Sequence, residues 1–171
     1  MNPERRKALI IRREQLKRQL HQQQQKESCK DLLTQLDAEL ATYKIIWTEP
    51  TFFNPASSWL TENFPIAWWG RVNWEKVDGC MQSAVFVTDY ENFSQKLQQI
   101  ILNQNLGNPN VIIVWADANT LSLELSLSLV VQHAQLVCQQ SWDTWIICPQ
   151  DNWCIEYYHE GEISFGYSPL I

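Results

Sequence analysis

Glycine is scarce in this chain, and the sequence signatures of known chemistries are missing. There are five Gly in 171 residues. None lies in a G-x-G-x-x-G or Walker pattern, so a phosphate cradle is hard to build. No G-x-S-x-G surrounds Ser141, Ser164 or Ser168, which removes the nucleophile elbow. His21, His133 and His159 stand apart, without an H-E-x-x-H or H-x-E-x-C arrangement, and this argues against zinc catalysis. The five Cys (Cys29, Cys80, Cys138, Cys148 and Cys154) are odd in number and include no C-x-x-C. A disulfide scaffold and a zinc ribbon are therefore disfavoured. Apolar neighbours such as Val137 and Ile147 suit most of these thiols to the role of small core residues. No apolar run approaches the roughly 20 residues needed to span a bilayer. The first residues carry charge but no apolar h-region, so no signal peptide is expected and a reducing cytosol is the simplest compartment.

Basic residues are scarce after residue 30, and Trp and Phe are absent before residue 47. Residues 1–30 hold nine Lys/Arg and three Asp/Glu, a net charge of +6. Residues 31–171 hold four and sixteen, a net of −12, so the overall −6 conceals a basic arm on an acidic body. All nine Trp lie at or after Trp47. The division predicts a helical, coiled-coil-like arm over residues 1–44 and one Trp-rich α+β domain over 45–171.

Residues 4–20 and 29–43 are rich in helix formers, and Pro3 sits where a helix can begin. Cys29, Leu33, Leu36, Leu40 and Tyr43 recur at 4, 3, 4 and 3, a heptad seam. Leu9, Leu16 and Leu20 form a second stripe. At about 100° per residue the stripes centre near 180° (Leu9 set) and near 20° (Cys29 set). Either the chain turns at His21-Gln22-Gln23-Gln24-Gln25 into a helical hairpin, or one long helix packs on different partners along its length. Glu14 and Arg18 are the best-ordered ion pair on offer. The basic stripe suits an external anion, but the body has no basic patch to continue a phosphate track, which argues against nucleic acid. The arm also lacks the aromatic anchors of membrane-surface helices.

Between residues 45 and 80, Pro50, Pro55 and Pro65 disfavour long helices. A short helical turn is expected at Ser58 to Asn63 and a strand at Ala67 to Trp74. Trp68 and Trp69, if exposed, would make a binding hot spot. Beyond residue 80 the pattern reads as strand (Ser83 to Thr88), helix capped by Asp89 and running to about Asn105, turn (Gly107 to Asn110) and strand (Val111 to Ala116). Residues 121–137 fit both periods: Leu121, Leu123, Leu125, Leu127 and Leu129 alternate, whereas Leu123, Leu127, Val130, Ala134 and Val137 follow helical spacing. Helix is favoured on length. Strands follow at Thr144 to Cys148, Trp153 to Tyr158 and Glu162 to Tyr167, the last two joined at His159-Glu160-Gly161. The expected fold is α+β: the helical arm, then a mixed β-sheet with two helices and a C-terminal antiparallel meander.

Asp117 follows an apolar strand, a place where ligand sites occur. Asp143, Asp151, Glu156, Glu160 and Glu162 crowd the last strands. Paired carboxylates of this kind can hold a divalent metal, so a metal-dependent hydrolase or nuclease on Asp117 and these acids is one alternative. An oligomeric adaptor that self-associates through residues 1–44 is another. Their spacing matches no ligand motif, and neither a metal nor any other cofactor is expected.

Ser141-Trp142-Asp143-Thr144-Trp145, Asp151-Asn152-Trp153-Cys154-Ile155-Glu156 and the Glu160-Gly161-Glu162 hairpin resemble the small acidic immunity proteins of bacterial polymorphic and contact-dependent toxin systems. The likeness spans about residues 66–167. It implies a non-enzymatic, cytoplasmic, stoichiometric inhibitor whose partner is a basic toxin domain. The expected partner-facing residues are Asp117, Asp143, Asp151, Glu156, Glu160 and Glu162, with Trp142 or Trp153 as anchors. An acidic surface speeds association with a basic partner, and buried Trp supplies much of the binding energy.

Overall fold

Side chains that alternate between two buried faces build the centre of the molecule. The computed structural model describes residues 3–51, 53–84 and 90–169. Its strands are β1 (Tyr43–Ile46), β2 (Met81–Ala84), β3 (Asn110–Trp115), β4 (Ser122–Ser126), β5 (Thr144–Cys148), β6 (Trp153–Tyr158) and β7 (Glu162–Tyr167). They form one sheet in the order β1-β4-β3-β5-β6-β7-β2. Every neighbouring pair is antiparallel. The α+β class and the C-terminal meander stand as expected, but the sheet is antiparallel throughout rather than mixed.

Helices α2 (Lys30–Ala38), α4 (Tyr90–Asn103), α5 (Leu127–Gln132) and α6 (Ala134–Gln139) contribute to the core on one face. There Leu33, Phe93, Leu97, Val130 and Val137 join Ile113, Leu123, Ile146, Ile155 and Phe165 of the strands. The opposite face is covered by α3 (Pro55–Asn63) and the irregular segment that ends at the 3-10 turn Trp74–Lys76. Ala56, Leu60, Phe64, Val72, Trp74 and Val77 pack on Val114, Trp145, Ile147 and Cys154. Burial on both faces explains why β5 is apolar at four of its five positions, all of them buried. Each Leu-sized side chain buried there stabilises the fold by about 1.5–3 kcal/mol.

Helix α1 (Pro3–Ser28) runs without a break through the Gln run, so there is no helical hairpin. The chain bends only at Cys29, where a single 3-10-type bond from Cys29 N to Lys26 O precedes α2. The side chains of residues 4–20 are all exposed, whereas Gln25, Cys29, Leu32, Leu33 and Leu36 are buried. The anticipated seam thus ends early. Leu40 takes a positive φ of 54° as α2 stops, and it points to solvent. Tyr43 opens β1, so the last part of the 1–44 arm belongs to the sheet. Gln25 anchors α1 with a two-point bond: its Nε2 donates to Thr48 O at 2.7 Å and its Oε1 accepts from Thr48 N at 3.1 Å. Thr48 Oγ1 in turn donates to Thr120 O and accepts from Asn54, the residue that caps α3. Glu14 pairs with Lys17 at 3.2 Å rather than with Arg18.

Residues 121–137 hold both periods in succession. Ser122–Ser126 is a strand and the helices begin at Leu127, so the all-helical reading is corrected over its first half. Residues 67–74 are not a strand; only an isolated bridge joins Ile66 and Val72. Of the expected strand at Ser83 to Thr88, residues 85–88 lie outside the described residues, as does the capping residue Asp89.

Candidate functional site

Antiparallel order sends β1, β3 and β6 toward the same sheet end, from which β4, β5 and β7 depart. That end therefore gathers Asp117 after β3, Trp142 and Asp143 before β5, and His159 and Glu160 after β6. Ala116 N donates to Asp143 O at 3.1 Å and ties two of these segments together. Asp117 Oδ1 accepts from Asn119 N at 2.8 Å, a local turn that leaves the carboxylate exposed. Asp143 Oδ1 accepts from His159 N at 3.1 Å and lies 2.8 Å from His159 Nδ1. The Trp142 indole stands edge-on to this imidazole, with centroids 5.2 Å apart, and is itself 74% exposed. A cavity of about 700 Å³ opens between Asp117, Gln140, Trp142, Tyr157 and His159.

The segment Pro65–Val72 reaches the same end from the other face. Gly70 and Asp117 line a common cavity of about 230 Å³. Gly70 adopts a φ of 94°, a value that suits glycine, and turns the chain back immediately after two indoles. Trp68 is 92% and Trp69 57% exposed, and the two rings meet edge to face at 5.3 Å. Single exposed apolar residues are ordinary, whereas here an exposed aromatic pair and a third exposed Trp share one sheet end.

Arg71 closes the rim. Its guanidinium reaches Glu162 at 3.1 Å and Glu156 at 3.2 Å, and stacks over the Tyr158 ring at 4.1 Å. Glu156 is 0% exposed. Its carboxylate accepts from Trp74 Nε1 at 2.6 Å, Trp145 Nε1 at 2.7 Å and Val72 N at 3.0 Å. Burial raises the Glu156 pKa above the ordinary carboxylate value, against the downward pull of these donors and Arg71. Desolvation, followed by the negative charges of Glu160 and Asp143, pushes the Tyr158 phenol upward.

The expected partner-facing residues therefore divide. Asp117, Trp142, Asp143 and Glu160 come together at one sheet end. Glu162 is at its margin, held by Arg71. Glu156 is sealed inside and cannot face a partner, and Trp153 is 1% exposed in the core, so neither can act as proposed. Both sit on central β6, where both faces are covered. Asp151 lies in the β5–β6 turn at the opposite sheet end. The carboxylates suggested for a metal-dependent hydrolase thus do not converge. Among the described residues, no group of three or more His, Cys, Asp or Glu is placed to hold a metal ion. Sequence reading missed two members of the site. His159 stands in the sequence only as a turn residue outside any metal pattern, because nothing local announces Asp143 as its partner. Arg71 carried one signal: it is the first basic residue after Lys44.

The sequence model of one protein family, described as CdiI immunity protein, EcoliA0-like, matches residues 54–166. The match begins at the residue that caps α3 and ends within β7, so it spans the acidic sheet end and both aromatic clusters. No curated protein matches the chain. None of the described helices is long and apolar enough to cross a membrane.

Proposed function

The chain belongs to the CdiI immunity protein family, the immunity proteins of contact-dependent inhibition toxin systems, and from that premise we propose that it is a stoichiometric, non-enzymatic inhibitor acting in the cytoplasm. Its partner is a basic toxin domain, and the contact surface is the sheet end built from Asp117, Trp142, Asp143, His159 and Glu160. The observation that carries this reading is that Asp117, Trp142 with Asp143, and Glu160 are brought to one sheet end by three separate connections, beside a cavity lined by Asp117, Trp142 and His159. Among the described residues Asp117 and Glu160 have no ion-pair partner, so their field is available to steer a basic partner. Trp142 at the centre and Trp68 and Trp69 at the edge offer large apolar area beside those charges, as binding hot spots do. The basic arm is a second surface, suited to self-association.

Titration calorimetry with the cognate toxin domain tests the reading. The double variant Asp117→Lys, Glu160→Lys is expected to lower the association rate and affinity at low salt, with unfolding unchanged. Equal affinity for the parent and the variant would sink it.

A further inference from the structure

From residue 20 back to residue 4, every side chain of α1 is exposed. Its docking side carries Gln25 and Cys29, and at about 100° per residue Leu9, Leu16 and Leu20 point the opposite way. The leucine stripe therefore cannot reach the chain's own body without a bend in the helix. Arg5 and Arg12 flank the stripe on one side, and Arg6, Arg13 and Lys17 on the other. Lys7 and Lys17 pair with Glu4 and Glu14. Arg5, Arg6, Arg12, Arg13 and Arg18 have no ion pair among the described residues. Two such stripes facing each other would set arginine against arginine. The surface that fits is apolar in the middle and acidic at its margins.

Among the described residues, one sheet end fits that description. The sheet end described above presents Trp142, Trp68 and Trp69 beside Asp117, Asp143 and Glu160. It is also where the arm is rooted: Gln25 holds Thr48 just after β1, which runs toward that same end. We propose that a second copy of this chain is the arm's partner, each arm lying across the acidic, Trp-lined sheet end of the other in a reciprocal two-fold dimer. Because root and target share one end, a single two-fold axis there lets both contacts form at once and closes the assembly. An 18-residue helical stretch is about 27 Å long and about 10 Å wide. Covering one side of it buries roughly 270 Å² on each surface, so two reciprocal contacts reach about 1,000 Å², the low end for a specific interface. The dimer is accordingly weak and salt-sensitive. It occupies the surface assigned above to the toxin, so the arm competes with that partner and the free chain is stored with its binding face covered.

The inference rests on that sheet end being a binding surface, and sedimentation of the full chain tests it. Mass is measured across about a hundredfold range of protein concentration. Salt is raised from about 0.1 to about 1 M, which shortens the Debye length from about 10 to about 3 Å. The expected result is a shift from one chain to two with concentration, reversed by salt. Two exposed-site variants should each be monomeric while unfolding like the parent: Leu9→Ser, Leu16→Ser, Leu20→Ser, and Asp117→Lys, Glu160→Lys. Mixed together they should regain only part of the association, at the highest concentrations, since one of the two contacts is then restored. A parent chain that stays monomeric overturns the inference and leaves toxin binding untouched. A charge-reversal variant that dimerises unaided overturns it in favour of arm-to-arm pairing. A monomer that shifts a labelled DNA duplex at low salt assigns the arm to phosphate and overturns it too. A charge-reversal variant that no longer dimerises but keeps its full toxin affinity counts against the toxin reading alone.

Discussion

Trp145 and Glu156 face each other across the β5–β6 register, and the indole Nε1 of the first donates to the carboxylate of the second at 2.7 Å. Trp74 completes the arrangement from the covering layer, with its own Nε1 2.6 Å from the same carboxylate. Two indoles, one backbone N–H and Arg71 thus hold a charge with no access to water. Replacing Glu156 by Leu strands these donors and should cost about 3–5 kcal/mol, measured by urea unfolding. Glu156→Gln keeps acceptor capacity and should cost less.

The same residue sets a pH dependence with a definite sign. Its pKa in the folded state is raised above the ordinary value of 4.5. The folded protein therefore holds this proton more tightly than the unfolded chain. The associated stability is fully present below the unfolded value and is lost as pH rises through the folded one. The parent should lose stability relative to Glu156→Gln as pH climbs upward from about 4.5, and the difference should then level off. A constant difference across that range would show that Glu156 contributes no such slope.

Gly166 admits no side chain. A Cβ there would sit 2.8 Å from Val77 Cγ1 and 2.9 Å from Trp74 Cζ3. Gly166→Ala should destabilise by about 1–3 kcal/mol through overpacking. Adding Val77→Ala relieves the nearer clash and should recover part of that loss, read as a non-additive double-mutant cycle.

The two halves of α1 should respond differently to substitution. Gln25→Leu leaves the Thr48 N–H buried without a partner, while its C=O keeps His21 Nε2 at 3.0 Å, and should cost about 1–2 kcal/mol. Leu16→Ser, on the exposed half, should stay within about 0.5 kcal/mol. Thermal unfolding at low protein concentration, where self-association is absent, checks both.

At the proposed toxin interface, Trp142→Ala should weaken binding by about 2 kcal/mol, near thirtyfold, with little change in stability. Trp153→Phe, a change inside the core, should alter unfolding but leave the affinity of the folded protein intact. The reverse pattern would move the interface away from this sheet end.

Much of the fold was legible because strands bounded by Pro, Gly and Asn carry their own punctuation: β5, β6 and β7 fall where their sequences place them. The segment after Thr120 misled because Leu123 and Leu127 satisfy both periods, and only pairing with β1 and β3 decides for a strand as far as Ser126. The site was half legible. Asp117, Trp142, Asp143 and Glu160 are exposed or rim residues at strand ends, and their positions follow from the hairpins. Glu156 and Trp153 look no different in sequence, yet both faces of β6 are covered, and no local pattern reveals the layer formed by residues 65–77. The joining of Asp143 to His159, sixteen residues on, is likewise a product of the sheet.

Scaffold and rim are divided among different parts of the chain. The strands and their covering helices supply the buried contacts, whereas the rim comes from short connections around residues 68–71, 117–119, 141–143 and 159–160. Apart from Arg71, which holds the buried Glu156, and Gly70, whose φ is positive, substitutions in those connections leave the core contacts of the strands in place. On the proposed interface, one framework could be fitted to different partners by changing about ten rim side chains, and such descendants would then diverge fastest in that rim.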